Sequence, residues 1–203
     1  DKICQSLSKK YVYQGAIELG YRDDEIDYIL QIMEARELIE INQDWIIEKA
    51  RPNIEVDKIK EQISSFQQDV QYLYATTKSP DVEHLHARAH QYHERFQGLD
   101  KHQDEVELLI LSERIREDNE LLDSLLIREV DTLKAMTDNL NIEPFSPEYA
   151  SAITHFVKVA PFTEQVNIVR ATHERTLGQW QDVYTQFQED VKQLQQQIKK
   201  VQT

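Results

Sequence analysis

The chain has 203 residues but only four glycines and one cysteine. Average proteins contain roughly 7% glycine, so this chain has few positions for tight turns or phosphate-binding loops. The scarcity argues against a dinucleotide-binding fold, a P-loop and most all-β architectures. The single cysteine, Cys4, excludes an intrachain disulfide and a thiolate metal cluster. It also fits a cytoplasmic setting.

Basic residues are outnumbered, with 23 Lys and Arg against 37 Asp and Glu, which gives a formal charge of −14. Such a surface repels a nucleic-acid backbone and argues against binding it over a large face. The longest aliphatic run, Leu108 to Leu111, is far shorter than the roughly 20 residues of a membrane span. No signal-peptide pattern is present. We therefore expect a cytoplasmic protein with no membrane contact.

Catalytic motifs are missing from the sequence as well. It contains no Gly-x-Ser-x-Gly, His-Glu-x-x-His or Gly-Lys-Ser/Thr motif and no Ser-His-Asp order. Carboxylates such as Glu113 and Glu117 have Arg114 and Arg116 nearby, which is typical of a solvated helix face. The sequence therefore predicts a protein that is not an enzyme and binds no cofactor.

Helical periodicity is what the sequence has in abundance. Apolar residues at steps of three and four predict a helix over about 54–77, with Asn53 as its N-cap. Ser79, Pro80 and an acidic first turn predict the start of the next helix. With no further proline before Pro144, we expect one continuous helix over about 80–141, with a break at Gly98 as the alternative. Two of its stripes are Val82, Leu85, Ala89, Tyr92, Phe96 and Leu99, and then Leu122, Leu126, Val130, Leu133, Thr137 and Leu140.

The last third of the chain holds the strongest coiled-coil pattern. Ser146 and Pro147 repeat the helix-start signal and predict a short helix to about Val159. Pro161 then interrupts, and Thr163 is a possible N-cap for a final helix. Apolar residues alternate at steps of three and four along that helix for more than three heptads. This C-terminal seam consists of Leu177, Trp180, Tyr184, Phe187, Val191, Leu194, Ile198 and Val201.

The N-terminal part has a different pattern. Residues 7–20 predict a short helix closed by Gly20, and Asp23 or Asp24 is expected to cap a second helix. Residues 41–47 predict two short strands around an Asn-Gln-Asp turn. Over about residues 6–48 this order resembles the winged-helix domains, whose usual first helix would be absent or lie upstream. Glu37 stands where many members of that class carry glycine.

Winged-helix resemblance implies DNA binding in many members, but the residues here oppose it. The second helix would display Asp23, Asp24, Glu25, Asp27 and Glu34 against Arg22 and Arg36. Base readout relies on Arg, Lys, Asn or Gln presented to the groove. We therefore expect this head to dock a protein or to dimerise.

Four histidines form the one cluster that suggests metal chemistry. His86, His90 and His93 fall at i, i+4 and i+7, on one face of the predicted helix, and His84 lies beside them. A histidine pair at i, i+4 can chelate zinc, nickel or copper. Ordinary, partly exposed helix residues are the preferred interpretation, so no metal site is predicted. A pH-sensitive seam is a further alternative.

The expected fold is mainly α, with a winged-helix-like head over 1–51 and an elongated antiparallel coiled coil or three-helix bundle over 52–203. Turns are expected near 78–81, 141–147 and 160–163, and short turns make neighbouring helices antiparallel. Separate short helices in a compact bundle are the alternative.

The expected function is non-catalytic. We expect a protein-interaction, spacer or dimerisation region that associates with protein partners or with itself through helical seams. The chain begins without Met, and its head looks incomplete, so we expect a piece of a larger cytoplasmic assembly. The organisation is similar to that of chromosome-organising and defence ATPase machines, an analogy of architecture alone. The alternatives are a nucleic-acid-binding regulator and a metal-binding protein.

Overall fold

A computed structural model describes residues 6–49, 54–100, 104–139, 142–165 and 167–201. Of these residues 78% are helical, and they form seven α-helices and one three-stranded antiparallel sheet. The predicted mainly α fold is confirmed. Among the described residues, no helix combines the length and the apolar content needed to cross a membrane.

The elements divide between two compact units. Unit 1 comprises Asp1–Gln68 and Ala87–Glu117, and unit 2 comprises Asp69–His86 and Asp118–Thr203. In chain order the elements are β1 (Ser6–Ser8), α1 (Lys9–Glu18), α2 (Asp23–Ala35), β2 (Ile39–Asn42), β3 (Trp45–Glu48), α3 (Val56–Thr77), α4 (Pro80–Gly98), α5 (Glu105–Asn139), α6 (Pro147–Val159), a 3₁₀ turn (Ala160–Phe162) and α7 (Ala171–Val201).

The head of unit 1 consists of α1, α2 and the sheet. Its predicted hairpin is present as β2 and β3, with Ile41 opposite Ile46. Strand β1 was not predicted. It pairs antiparallel with β3, gives the strand order β1-β3-β2 and contains Leu7, which was expected in the first helix. Three residues are too short for an alternating pattern to indicate a strand, and the partner strand is distant in the sequence. The head core is formed by Ile26, Leu30, Ile39 and Ile46.

The ends of the head helices follow the sequence in part. Gly20 has φ of +95° just after α1, as expected of a glycine that closes a helix. The predicted caps of α2 are wrong, because Arg22 is the N-cap and Asp23 is the first helical residue. The Arg22 amide donates to the Glu25 carboxylate at 3.0 Å. Asp23 and Asp24 instead lie in the first turn, where negative charge complements the helix dipole.

The stripes predicted for α3 and α4 lie in the core. In unit 1 the two helices pack antiparallel, with the Phe66 and Tyr92 rings 6.1 Å apart and Gln67 within 3.3 Å of His90. The predicted cap Asn53 lies outside the described residues. The buried members of the two stripes are Ile59, Ile63, Phe66, Val70, Leu73, Val82, Leu85, Ala89, Tyr92 and Phe96.

The expected continuous helix over 80–141 is wrong. Helix α4 ends at Gly98 and α5 begins at Glu105. Glycine is a poor helix former, and Asp104 supplies a new start. The Asp104 carboxylate accepts the Asp100 amide at 2.7 Å, and its carbonyl accepts the Leu108 amide at 2.9 Å.

In unit 2, α6 has the predicted bounds, and the Ser146 hydroxyl accepts the Tyr149 amide at 3.1 Å. The last helix begins later than expected, at Ala171 instead of about 163. After α6 the chain passes through the 3₁₀ turn at Ala160–Phe162 and further turns before α7.

Helix α7 runs parallel to α5, although short turns predicted the opposite direction. His173 contacts Asp131 at 2.7 Å, and seven residues later Trp180 contacts Thr137 at 2.7 Å. Later residues of α7 therefore contact later residues of α5. Helix α6 runs back along α5 in the opposite direction, since residues near its C-terminal end contact Glu129 on α5. One short helix between α5 and α7 is therefore sufficient to reverse the chain twice, which leaves α5 and α7 running in the same direction.

A first prediction concerns Glu37, whose φ is +57°. This left-handed conformation is unfavourable for a residue with a Cβ and normal for glycine. We expect Glu37→Gly to raise the free energy of unfolding by about 0.5–1 kcal/mol. Urea unfolding followed by circular dichroism measures it. The control is Gln31→Gly, at an exposed helical position of α2. It is expected to lower the free energy of unfolding by about 0.5–1 kcal/mol. A loss in both variants would show that Glu37 is not strained.

Candidate interaction surfaces

One side of the head contacts α5 within unit 1. Tyr28 of α2 and Arg36, the residue that follows α2, bind carboxylates on α5. The Tyr28 hydroxyl donates to Glu117 at 3.0 Å, and the Arg36 guanidinium binds Glu113 at 2.6 Å. Just before α2, the Tyr21 hydroxyl donates to Glu107. Three carboxylates of α5 thus hold one side of the head.

Two groups of this row, Tyr28 and Glu113, are partly buried, and their surroundings shift their pKa values. Burial and the hydrogen bond to Glu117 raise the pKa of Tyr28 to about 12. Burial by itself favours the protonated form of Glu113, but the hydrogen bonds from Arg116 and Arg36 outweigh it and hold the pKa of Glu113 below 4.5. The Glu113 side chain is 12% exposed, so its charge depends on these partners.

An apolar contact lies beside this polar row. Ile32 and Leu38 of the head pack with Leu109 of α5. All four residues from Leu108 to Leu111 are buried, so α5 is covered on every side at this level. A helix that is apolar all round is expected to be enclosed. The aliphatic run Leu108 to Leu111, which is too short for a membrane span, therefore indicates a segment of α5 that is enclosed by the rest of the protein.

The remaining acidic residues of the head are not part of that contact. Asp23, Asp24 and Asp27 are exposed, and the Tyr13 hydroxyl donates to Asp27. The Glu34 carboxylate accepts the Ile41 amide at 3.2 Å, so it holds the hairpin to α2. The outer face of α2 is therefore acidic, as the sequence predicted from its residue types.

The first half of the C-terminal seam is packed against other helices of unit 2. Leu177 and Trp180 are each 4% exposed. The Trp180 indole donates to the Thr137 hydroxyl at 2.7 Å. The next two seam residues are half-buried against α6. The ring centroids of Tyr184 and Phe156 lie 5.6 Å apart, and those of Phe187 and Tyr149 lie 6.4 Å apart.

Helix α6 is held in place by a polar cluster on α5. The Glu129 carboxylate lies 2.5 Å from His155 Nδ1 and 3.2 Å from Lys158 Nζ. Burial alone would favour the protonated form of Glu129, but His155 and Lys158 outweigh it and lower the pKa of Glu129 below 4.5. On α7, His173 binds Asp131 and is 5% exposed. His155 and His173, which were not predicted to form a site, thus each contact a carboxylate of α5.

The second half of the seam loses this cover. Val191 is half-buried, while Leu194 is 53% exposed and Ile198 is 57% exposed. The side chain of Val201 lies outside the described residues. Neighbouring positions from Gln193 to Gln197 are polar and exposed, apart from Leu194 itself. Helix α7 therefore carries one apolar stripe with a buried half and an exposed half.

Three of the four clustered histidines contact different residues. The His86 ring stacks on Tyr74 in unit 2 with centroids 4.8 Å apart. In unit 1, His90 contacts Gln67 at 3.3 Å and His93 contacts Gln97 at 2.8 Å. Across the described part of the chain, no group of three or more His, Cys, Asp or Glu side chains is arranged to hold a metal ion.

Comparisons of the chain with protein-family models, with curated proteins and with solved structures gave no match in any of the three. The residues themselves are therefore the only basis for a functional proposal. Two surfaces stand out, the docked face of α2 and the exposed end of the C-terminal seam.

A second prediction concerns the Glu129 cluster. Because its pKa is lower in the folded chain than the ordinary 4.5, Glu129 stabilises the fold above about pH 4.5, and this contribution disappears as the pH falls through the folded-state value. We expect Glu129→Gln to lose about 1–2 kcal/mol of unfolding free energy at pH 7 and less at pH 3.5. Urea unfolding at both pH values measures the difference.

The matched control for this prediction is Glu189→Gln, which removes an exposed carboxylate from α7. It is expected to change the unfolding free energy by no more than about 0.5 kcal/mol at either pH. An equal loss for Glu129→Gln at pH 7 and pH 3.5 would contradict an ionised Glu129 in the fold.

Proposed function

We propose that this chain is a non-catalytic protein-interaction module, and that the exposed end of the C-terminal seam is its binding surface. The observation that carries the proposal is the change of exposure along one stripe. Leu177 and Trp180 are each 4% exposed, whereas Leu194 is 53% and Ile198 is 57% exposed. Amphipathic helices bind protein partners through apolar anchors at this spacing.

The composition of the surrounding face supports this proposal. A helix that faces water on all sides gains nothing from large aliphatic residues at heptad positions. Here the residues between the anchors are polar, including Gln193, Gln195 and Gln197. The apolar residues therefore form a narrow stripe, and one additional helix is wide enough to cover it.

The head has a separate role in this proposal. Its order of one strand, two helices and a hairpin, with β1 paired to β3, supports a winged-helix arrangement. Arg36 binds Glu113 and Tyr28 binds Glu117, and the outer face of α2 is acidic. These contacts favour a head that docks on protein rather than on nucleic acid, within a cytoplasmic assembly.

A third prediction separates folding from binding along the stripe. Leu177→Glu places an unpaired charge at a buried position, and we expect it to cost about 4 kcal/mol or more. Leu194→Glu replaces a half-exposed side chain and is expected to change the unfolding free energy of the dilute chain by about 0.5 kcal/mol or less. Thermal melts of both variants measure this. Similar losses would show that Leu194 is packed in the folded chain.

The binding role is tested by affinity capture from lysate of the source cell. Wild-type, Leu194→Glu and Gln193→Glu chains serve as baits, with and without nuclease. Gln193→Glu adds the same charge one residue away, outside the stripe. We expect the wild type and Gln193→Glu to retain a protein that survives nuclease and that Leu194→Glu loses. Capture that disappears with nuclease, or that does not depend on Leu194, would overturn the proposed function.

A further inference from the structure

We propose that the exposed end of the C-terminal seam is covered by the same segment of a second copy of this chain, running antiparallel about a two-fold axis. This inference rests on the proposed function, because it names the occupant of that binding surface. The segment concerned is 188–201 of α7, which we call the α7 end.

The direction follows from what already covers the seam. Helix α6 lies over Tyr184 and Phe187 through Phe156 and Tyr149. A second α7 in a parallel, in-register pair would need the space beside Tyr184 and Phe187 that α6 fills. An antiparallel α7 end lies beside Val191 to Ile198 and finishes where α6 begins. The partner helix therefore continues the cover that α6 provides.

The register follows from the heptad positions. With Leu177 at position a, Val191 and Ile198 are a residues and Leu194 is a d residue. Antiparallel packing of two such seams sets an a residue of one helix against a d residue of the other, as knobs into holes. Leu194 then packs on Ile198 of the second copy, and Ile198 on its Leu194. This interface is the same on both chains, as two-fold symmetry requires.

The flanking residues favour a second copy as the occupant. In this register Gln195 of one chain lies beside Gln195 of the other, and Gln197 beside Gln197. A glutamine amide both donates and accepts hydrogen bonds, so it pairs with its own copy. A lysine or a glutamate at either position would repel itself. Heteromeric partners are commonly selected by charges at these flanking positions, and here both are neutral.

The remaining charges of the α7 end do not oppose this pairing. Lys192 and Lys199 lie on the outer part of the helix, away from the stripe and its flanks. Asp190 occupies a flanking position, and its carboxylate accepts the Gln186 amide at 2.9 Å. In the antiparallel register it meets no described residue of the second copy.

The proposed dimer contact is short, and its size determines how strongly the two chains are expected to associate. The α7 end spans about two heptads, and interfaces below ~1,200 Å² are typical of weak association. We therefore expect a dimer that forms with increasing concentration rather than an obligate one. Sedimentation equilibrium of the purified full chain over a range of concentrations measures its dissociation constant.

Charge variants at the two flanking glutamines test the arrangement. The acidic variant carries Gln195→Glu and Gln197→Glu, and the basic variant carries Gln195→Lys and Gln197→Lys. Each places like charges against its own copy on both edges, so each is expected to dimerise about tenfold more weakly at low salt. An equimolar mixture of the two is expected to regain dimerisation. Gln195 and Gln197 are both exposed, so the circular dichroism spectra are expected to stay unchanged.

A matched control carries Gln193→Lys and Gln196→Lys, which adds two charges on the outer face of the same segment. It is expected to dimerise like the wild type. A parallel dimer would behave differently, because there Gln195 would lie beside Asp190 of the second copy. Tighter dimerisation of the basic variant would therefore overturn the antiparallel arrangement.

The wild-type result separates this inference from the proposed function. A wild-type chain that stays monomeric at all concentrations would overturn the second copy as occupant. If Leu194-dependent capture of another protein persisted in that case, the proposed function would stand and the seam would bind a different helix. If the capture were absent as well, both proposals would fail.

Discussion

An apolar stripe on a helix has to be covered, and the length of the available cover organises unit 2. Helix α7 has 31 residues and is therefore about 46 Å long. Helix α6 has 13 residues and extends only about 20 Å. The stripe is buried or half-buried where α5 and α6 reach it and is exposed from Leu194 onward. The anchoring of α6 by Glu129 fixes where the cover ends, and so it defines which seam residues stabilise the fold.

The same constraint acts in unit 1, with a different solution. The run from Leu108 to Leu111 is apolar on all sides and needs cover beyond that given by its neighbouring helices. The head supplies it with Ile32 and Leu38. At the edge of this contact, tyrosine and arginine donors meet carboxylates such as Glu113. A strongly acidic chain can thus use its carboxylates as acceptors inside its own structure, and its net charge alone does not indicate how many of them face solvent.

Periodicity was enough to predict which residues of α3 and α4 are buried, because a heptad pattern depends only on spacing along one helix. The hairpin and the closing role of Gly20 were also local and were predicted. The prediction also placed Glu37 where glycine is expected, and its φ of +57° agrees with that. Features that depend on distant residues were missed. Strand β1 forms only against β3, α7 takes its direction from the return pass of α6, and His155 and His173 are defined by carboxylates on α5.

The exposed part of the seam shows why sequence alone left the choice between intrachain and interchain pairing open. Leu177 and Leu194 lie on the same a/d stripe, and the heptad pattern is the same whether a seam closes within a chain or between chains. The two leucines differ only in what the rest of the fold places over them. In the proposed arrangement, one heptad repeat therefore has two roles: its first half stabilises the fold of one chain, and its second half binds the second copy. The boundary lies between Val191 and Leu194, where the seam changes from half-buried to exposed.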